Sequence, residues 1–200
     1  MRRILLGVTA AIALAGCGPD GGPPPLLTLA GRTCTATPDL AAAQVIAKQS
    51  DEAKITLDIN AACLETLGGK ATYAAFRLPS PTEPTLVDVY SEARGTSIFS
   101  PKILMLDANG QQLREISREN FVYRGRTLHA ALRQQAGEVF LIAIADTGTV
   151  GQTDSRLKSD VHSTLIFGSA FVNTGSETQQ RNVFSQSGNL IVSVRPVPKS

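Results

Sequence analysis

The chain has 200 residues, 42% of them hydrophobic, with 19 Lys and Arg against 17 Asp and Glu. Two of the basic residues, Arg2 and Arg3, lie among the first 16 positions, and the rest of the chain balances at 17 basic against 17 acidic residues. A nucleic-acid-binding protein would show a basic surplus, and a disordered chain would be less hydrophobic. We therefore expect one folded domain that binds no nucleic acid and, with two His and no Trp, no metal ion or cofactor.

The first 16 residues are organised like a secretory signal peptide. Arg2 and Arg3 precede an apolar run over residues 4–14, which is shorter than the roughly 20 residues of a transmembrane helix. The run ends in Leu14-Ala15-Gly16-Cys17, which resembles the lipobox of bacterial lipoproteins. The resemblance implies that the chain is cut before Cys17 and that Cys17 carries lipid. The alternative is an ordinary signal peptide with a chance cysteine.

The residues after Cys17 predict how the protein is held. Gly18 occupies the position at which Asp would signal retention in the inner membrane, so the resemblance implies an outer-membrane lipoprotein that faces the periplasm. Residues 17–33 begin with a Gly- and Pro-rich stretch that cannot pack a core, and we interpret them as a tether. The remaining residues, 34–200, are expected to form a single domain.

Two further cysteines, Cys34 and Cys63, lie within this domain. In an exported protein two thiols favour a disulfide, which would stabilise the fold by about 3–4 kcal/mol. Free thiols are the alternative, since a metal site would need more ligands than two cysteines supply.

The pattern along the domain predicts one helix followed by strands. Thr37, Pro38 and Asp39 are typical of a helix start, and the Ala-rich residues 40–49 predict a short helix. Polar residues 146–162 predict a loop or a short helix over 155–161, and residues 173–187 predict a long loop or mobile edge. Alternating or apolar segments predict strands at residues 54–59, 73–78, 85–91, 102–106, 111–116, 121–123, 128–132, 138–145, 164–171 and 190–194. This succession predicts a mainly β protein, an antiparallel β-sandwich of jelly-roll or immunoglobulin-like type with a short N-terminal helix.

Several of these segments resemble one known family. They are Tyr73-Ala74-Ala75-Phe76-Arg77-Leu78-Pro79, Ser97-Ile98-Phe99-Ser100-Pro101-Lys102-Ile103-Leu104-Met105-Leu106-Asp107, residues 121–123 and residues 139–143. Together they look like the maltose operon periplasmic protein (MalM) family. The resemblance implies a fold, an envelope location and a link to maltodextrin uptake, and it supplies no catalytic residues. Unlike that family, this chain has a lipobox and lacks a long Pro/Ala-rich extension after its last strand.

Aromatic residues beside polar side chains are the features that could bind a sugar. Tyr73, Tyr90 and Tyr123 could stack on a sugar ring, although tyrosines on strands more often pack at the rim of a core. Tyr123 has Asn120, Arg124 and Arg126 close to it in sequence. We therefore expect any glycan site at these four residues.

Motifs for catalysis are weak. Asp146-Thr147-Gly148 resembles the active-site triplet of aspartic proteases, but one copy would require a dimer, and a strand-ending turn is the simpler interpretation. Asp107-Ala108-Asn109-Gly110 is better explained as a hairpin turn than as a calcium loop. We interpret each of His129 and His162 as a surface residue or as a core residue whose hydrogen bonds are satisfied. The sequence therefore predicts a non-enzymatic, lipid-anchored envelope protein that binds carbohydrate, with a protein-interaction or structural module as the alternative and a dimeric aspartic protease as a third hypothesis.

Overall fold

A computed structural model of the chain describes residues 26–198, except residues 82, 160–161, 167–169 and 175–176, and gives the backbone alone between 156 and 180. The described residues form a mainly β structure with several antiparallel sheets, as the alternating segments predict. Within these ranges the helical content is one 3-10 turn at Arg118–Asn120, and no helix is long and apolar enough to cross a membrane.

The first large sheet has the strand order β1-β4-β11-β7-β8, with β3 also pairing with β4. Its strands are β1 (Gln44–Val45), β3 (Cys63–Thr66), β4 (Gly69–Arg77), β7 (Pro101–Leu106), β8 (Gln112–Ile116) and β11 (Phe140–Ala145). Every residue of β11 is buried, which explains why its sequence is apolar without alternation: this strand is covered on both faces.

The second large sheet has the order β2-β16-β5-β10-β9. Its strands are β2 (Glu52–Leu57), β5 (Thr85–Glu92), β9 (Val122–Arg124), β10 (Thr127–Arg133) and β16 (Gly188–Pro196). Its neighbouring strands are all antiparallel. One face of this sheet contributes Val87, Val89, Leu128 and Val192 to the same hydrophobic core as Ile103 and Leu141 of the first sheet, so the two sheets form a sandwich-like pair.

The remaining strands make a three-stranded sheet and a two-stranded sheet. Strand β6 (Ser97–Phe99) pairs in parallel with β15 (Glu177–Ser185), which pairs with β12 (Thr153–Ser159). Strands β13 (His162–Ile166) and β14 (Ala170–Thr174) pair with each other. The predicted loops over 146–162 and 173–187 are therefore wrong where β12, β14 and β15 lie. The sequence in these two ranges is mostly polar and lacks the regular alternation that indicates a strand.

The predicted N-terminal helix over residues 40–49 is also wrong. Asp39 Oδ1 accepts hydrogen bonds from the backbone N–H groups of Ala41 (3.0 Å) and Ala42 (3.2 Å), which forms a local turn. The chain then runs parallel to β4, where Gln44 pairs with Phe76. Tertiary pairing thus overrides the helix propensity of the alanines.

Two local predictions are confirmed. Cys34 and Cys63 form a disulfide with Cα atoms 4.9 Å apart. The turn after β7 is held by Asp107, whose Oδ1 accepts from the N–H groups of Asn109 and Gln111, both at 2.8 Å. Strand β8 then returns antiparallel to β7.

Candidate functional site

The outward face of the second sheet carries a cluster of polar and aromatic side chains. Side chains alternate along β5, so Val87 and Val89 enter the core while Asp88 and Tyr90 lie on the opposite face. The register places His129 of β10 beside Tyr90. Asp88 is nevertheless fully buried (0% exposed), so its neighbours on this face must cover it. We call Asp88, Tyr90, His129 and Arg195 the outer-face cluster.

Asp88 is the centre of the outer-face cluster. His129 Nε2 lies 2.8 Å from Asp88 Oδ1, and Arg195 donates from Nε to Oδ2 and from Nη2 to Oδ1, the latter over 3.3 Å. Burial raises the pKa of Asp88, but the hydrogen bonds from Arg195 and His129 outweigh it, and the pKa lies below its usual value. The carboxylate is therefore ionised and held in one orientation.

Tyr90 and His129 form a stacked pair. Their ring centroids are 4.4 Å apart and their planes differ by 12°. His129 is buried, whereas Tyr90 is partly exposed. Burial and the negative charge of Asp88 raise the pKa of Tyr90, although the positive charges of Arg195 and Arg124 oppose this. The phenol is therefore neutral at physiological pH and keeps both its donor and its acceptor capacity.

Polar pairs continue along the same face beside Tyr90. Lys54 Nζ forms an ion pair with Glu92 over 3.3 Å, and both side chains are well exposed. Thr56 Oγ1 and Asn189 Oδ1 are hydrogen-bonded over 3.0 Å. The ladders place Asn189 directly between Thr56 and Glu92. Hydroxyl, amide, carboxylate and ammonium groups thus lie on the same sheet face as a partly exposed aromatic ring.

The structure separates the four residues predicted as a glycan site. Tyr123 packs against the core, and the guanidinium carbon of Arg118 lies 5.8 Å from its ring centroid. Exposed Asn120 belongs to the 3-10 turn, where its amide donates to Ser117 Oγ at 3.3 Å. Alternation along β9 puts Arg124 on the face opposite to Tyr123.

Arg124 and Arg126 also lie in different parts of the structure. Arg124 pairs with Thr127, which pairs with Glu92 of β5, so this arginine lies on the outward face near the outer-face cluster. Arg126 Nη2 instead donates to the carbonyl of Gly95 over 3.3 Å. The structure therefore associates one of the four residues, Arg124, with Tyr90 rather than with Tyr123. Cys17, the predicted lipidation residue, lies outside the described residues.

Asp146 has the geometry of a turn residue. Its Oδ1 accepts from the N–H of Gly148 (3.2 Å), and its carbonyl accepts from the N–H of Thr149 (3.0 Å). These contacts explain Asp and Gly at these positions as residues of a strand-ending turn. Within the described ranges no three or more His, Cys, Asp and Glu side chains form a group that could hold a metal ion.

A cleft between β2 and β4 offers a concave alternative to the outer face. Its volume is about 190 Å³, and Ile55, Leu57, Tyr73 and Ala75 are among the residues that line it. The Tyr73 hydroxyl is occupied, since it accepts a hydrogen bond from the N–H of Asp39 at 2.9 Å. Ligand pockets are commonly about 300–1,000 Å³, so this cleft is small for a sugar chain.

Tyr90 is one of the three tyrosines that the sequence indicates as stacking residues, whereas no motif in the sequence singles out Asp88 or Arg195. A single acidic residue within the apolar strand 85–91 was the available signal, because a buried carboxylate requires partners. Those partners are 41 and 107 residues away along the chain. Only the pairing of β5 with β10 and β16 brings them together.

The fold and the outer-face cluster define a β-sandwich-like protein whose most distinctive polar chemistry lies on an open sheet face. Residues 68–149 match the sequence model of a family described as maltose operon periplasmic protein precursor (MalM). This stretch is less than half of the chain, and it runs from the turn before β4 to the turn after β11. The resemblance seen in the sequence is confirmed over it. No curated protein matches the chain.

The matched stretch contains part of the outer-face cluster. Asp88, Tyr90 and His129 lie within residues 68–149, whereas Arg195 and the polar residues of β2 and β16 lie outside them. The description of the family is that of a periplasmic protein, which agrees with the exported location expected from the signal peptide.

Proposed function

We propose that this protein is a non-enzymatic accessory of the cell envelope, anchored to the outer membrane by lipid on Cys17, that binds carbohydrate on the outward face of its second sheet. Maltodextrin is the first ligand to test, because the family that matches residues 68–149 is described by the maltose operon. The observation that carries the proposal is the Tyr90–His129 stack, which Asp88 and Arg195 hold in place.

The chemistry of this face suits a polyhydroxylated ligand. Asp88 is saturated by two cationic or imidazole partners and orients His129 instead of reacting itself. Tyr90 presents a neutral hydroxyl and part of an aromatic ring, which combine hydrogen bonding with apolar contact. Asn189, Glu92 and Lys54 add donors and acceptors along the adjacent rows. A sugar chain that lies across β5, β16 and β2 would meet all of them.

A thermal-shift titration tests the carbohydrate proposal. Ligand at one hundred times its Kd stabilises the native state by about 2.7 kcal/mol, which raises the midpoint by several degrees in a domain of this size. We expect maltodextrin to produce such a shift in the full chain and Tyr90→Ala to abolish it. Tyr123→Phe is the matched control and should keep the shift. A shift that survives Tyr90→Ala and is lost in Tyr123→Phe would refute this placement of the site.

The anchor has its own test. If Cys17 carries lipid, the protein fractionates with membranes, and Cys17→Ser releases it into the soluble periplasmic fraction. An unchanged location in Cys17→Ser would contradict the anchor without bearing on sugar binding. Each buried acyl CH₂ group contributes about 0.8 kcal/mol to membrane binding, so several acyl chains together hold the protein on the membrane durably.

The second candidate function is a protein-interaction module of the envelope. One observation favours it: strands β12 to β15 belong to ladders that are separate from the two large sheets. They include most of the polar stretch 173–187, which would be the contact segment of such a module. Co-purification of an envelope complex that is lost when this stretch is deleted, with no glycan shift, would favour this function over carbohydrate binding.

A further inference from the structure

The side chains on the outward face of the second sheet form rows that cross its strands. Residues directly opposite each other in neighbouring antiparallel strands point to the same face, so successive pairings define a row. One row consists of Val122 of β9, His129 of β10, Tyr90 of β5, Ile191 of β16 and Lys54 of β2. We call it the central row. It begins on one edge strand of the sheet and ends on the other.

The central row is apolar or aromatic over four of its five strands. Val122 is 56% exposed, which is unusual for a large hydrophobic residue in this structure. His129 is buried, so the accessible apolar surface comes from Val122, Tyr90 and Ile191. Lys54 completes the row at the far edge, where its Nζ forms the ion pair with Glu92. The row therefore offers apolar contact on both sides of the Tyr90–His129 stack.

The next row on one side of the central row is polar throughout. It consists of Arg124, Thr127, Glu92, Asn189 and Thr56, and each of these residues is at least partly exposed. We call it the polar row. It supplies guanidinium, hydroxyl, carboxylate and amide groups in an unbroken series from one edge strand to the other.

The row on the other side of the central row is interrupted. Its members are Ala131 of β10, Asp88 of β5, Ser193 of β16 and Glu52 of β2. Ala131 has no polar side-chain group, and the buried carboxylate of Asp88 is already occupied by His129 and by Arg195. The middle of the face thus combines an apolar row with hydrogen-bonding groups along one of its two long sides.

The length of the central row sets the length of ligand that it fits. Five strands have four intervals of about 4.8 Å, so the row is about 19 Å long. This is longer than a disaccharide. Because the row reaches both edge strands, a longer ligand can continue past either end.

We propose that the ligand of this face is a linear glycan longer than a disaccharide that lies along the central row, at right angles to the strands. This inference rests on the carbohydrate binding of the proposed function. A sugar ring has an apolar C–H surface and a rim of hydroxyl groups, which match the central row and the polar row. Val122 then contacts the sugar units at one end of the glycan, while Tyr90 and Asn189 contact those in the middle.

A series of ligand lengths tests this proposal on the full chain carrying Cys17→Ser. Isothermal titration calorimetry gives a Kd for each linear maltodextrin from two to seven glucose units. The test variant is Val122→Asp, which changes one end of the central row and leaves Tyr90 in place. Leu113→Asp is the matched control, because Leu113 is 49% exposed on β8, an edge strand of the first sheet.

We expect affinity to rise with ligand length until the glycan covers the row. Val122→Asp should raise the Kd of the longest maltodextrin about fivefold, since the ligand covers roughly half of a valine side chain. It should not change the Kd of the shortest maltodextrin that binds, which fits over Tyr90 and Ile191. Leu113→Asp should change neither value.

Two results would overturn the orientation and leave carbohydrate binding intact. One is equal affinity for all lengths, or wild-type affinity of Val122→Asp for the longest maltodextrin. The other is loss of the length dependence in Leu86→Ser, because Leu86 lies on the outward face further along β5, between Arg133 and Arg195. Absence of binding at every length would refute the proposed carbohydrate function, and this inference with it.

Discussion

His129 lies 2.8 Å from the carboxylate of Asp88, across two adjacent strands and 41 residues of sequence. This contact leaves the other carboxylate oxygen to Arg195, from the strand on the opposite side of β5. One buried acid thus links β10, β5 and β16 on the face that the core does not use. Tyr90 stacks on the imidazole that this acid orients. Stability and the proposed binding surface therefore depend on the same residue.

Asp88→Asn should destabilise the fold by about 3 kcal/mol, since removing one partner of a buried ion pair leaves the others uncompensated. Arg195 is partly exposed, which keeps the loss below that of a fully buried pair. Urea unfolding measures it. Glu92→Gln is the control: its ion pair with Lys54 is exposed and should change the free energy by about 0.5 kcal/mol or less. Equal effects of the two substitutions would contradict the central position of Asp88.

Low pH should remove the contribution of Asp88 to the free energy of unfolding. Its folded-state pKa lies below the usual 3.8, so its contribution is present above 3.8 and is lost as pH falls through the folded-state value. The gap in unfolding free energy between wild type and Asp88→Asn should therefore be full at about pH 5 and narrow below pH 3.8. Urea titrations over this range measure the gap. A difference in unfolding free energy that widens as pH falls would contradict the predicted direction of the pH dependence.

Loss of the Cys34–Cys63 disulfide should cost about 3–4 kcal/mol, because the bond closes a loop with a sequence separation of 29. The double substitution of both cysteines by Ala and chemical reduction of the wild type should give the same loss in a denaturant titration. The bond holds residues 33–35 against β3, where the N–H of Thr35 donates to the carbonyl of Cys63 at 3.1 Å. A reduced protein as stable as the oxidised one would contradict this role.

Gly188→Ala should destabilise by about 2 kcal/mol through overpacking. A Cβ at the start of β16 would lie 2.9 Å from both the backbone nitrogen and the Cβ of Phe99, which is fully buried. Gly148→Ala is the matched control, since its nearest neighbour, Asp146 Oδ1, would be 3.4 Å away. That change should stay within about 1 kcal/mol. Thermal unfolding of the two variants decides the comparison, and equal midpoints would contradict the close approach at Phe99.

The sequence predicts two kinds of strand correctly. One kind has a buried face and an outward face, and the other is buried along its whole length. Strand β5 is recognisable because Val87 and Val89 alternate with outward residues, and β11 because it is apolar along its whole length. Local propensity predicts a helix over 40–49, but the turn at Asp39 and the pairing of Gln44 with Phe76 determine the structure there. Neither contribution is visible in an Ala-rich composition.

The candidate site was predictable only in part. Tyr90 was recognisable as an aromatic residue on a strand, whereas the contact of Asp88 with His129 and Arg195 depends on which strands are neighbours in the sheet. Polar residues adjoin Tyr123 in sequence and therefore favour it as a site residue. In β9, however, adjacent residues lie on opposite faces of the sheet, so Arg124 is separated from Tyr123 by the strand itself.

Amide chemical-shift mapping with maltodextrin tests the proposed binding surface most directly. It is measured on the full chain carrying Cys17→Ser, which keeps the protein in solution. We expect dose-dependent shifts concentrated on β5, β10 and β16 around Tyr90, His129 and Asn189, with little change in the 3-10 turn Arg118–Asn120. Shifts confined to that turn and Tyr123, or a spectrum unchanged at millimolar sugar, would contradict carbohydrate binding on this face.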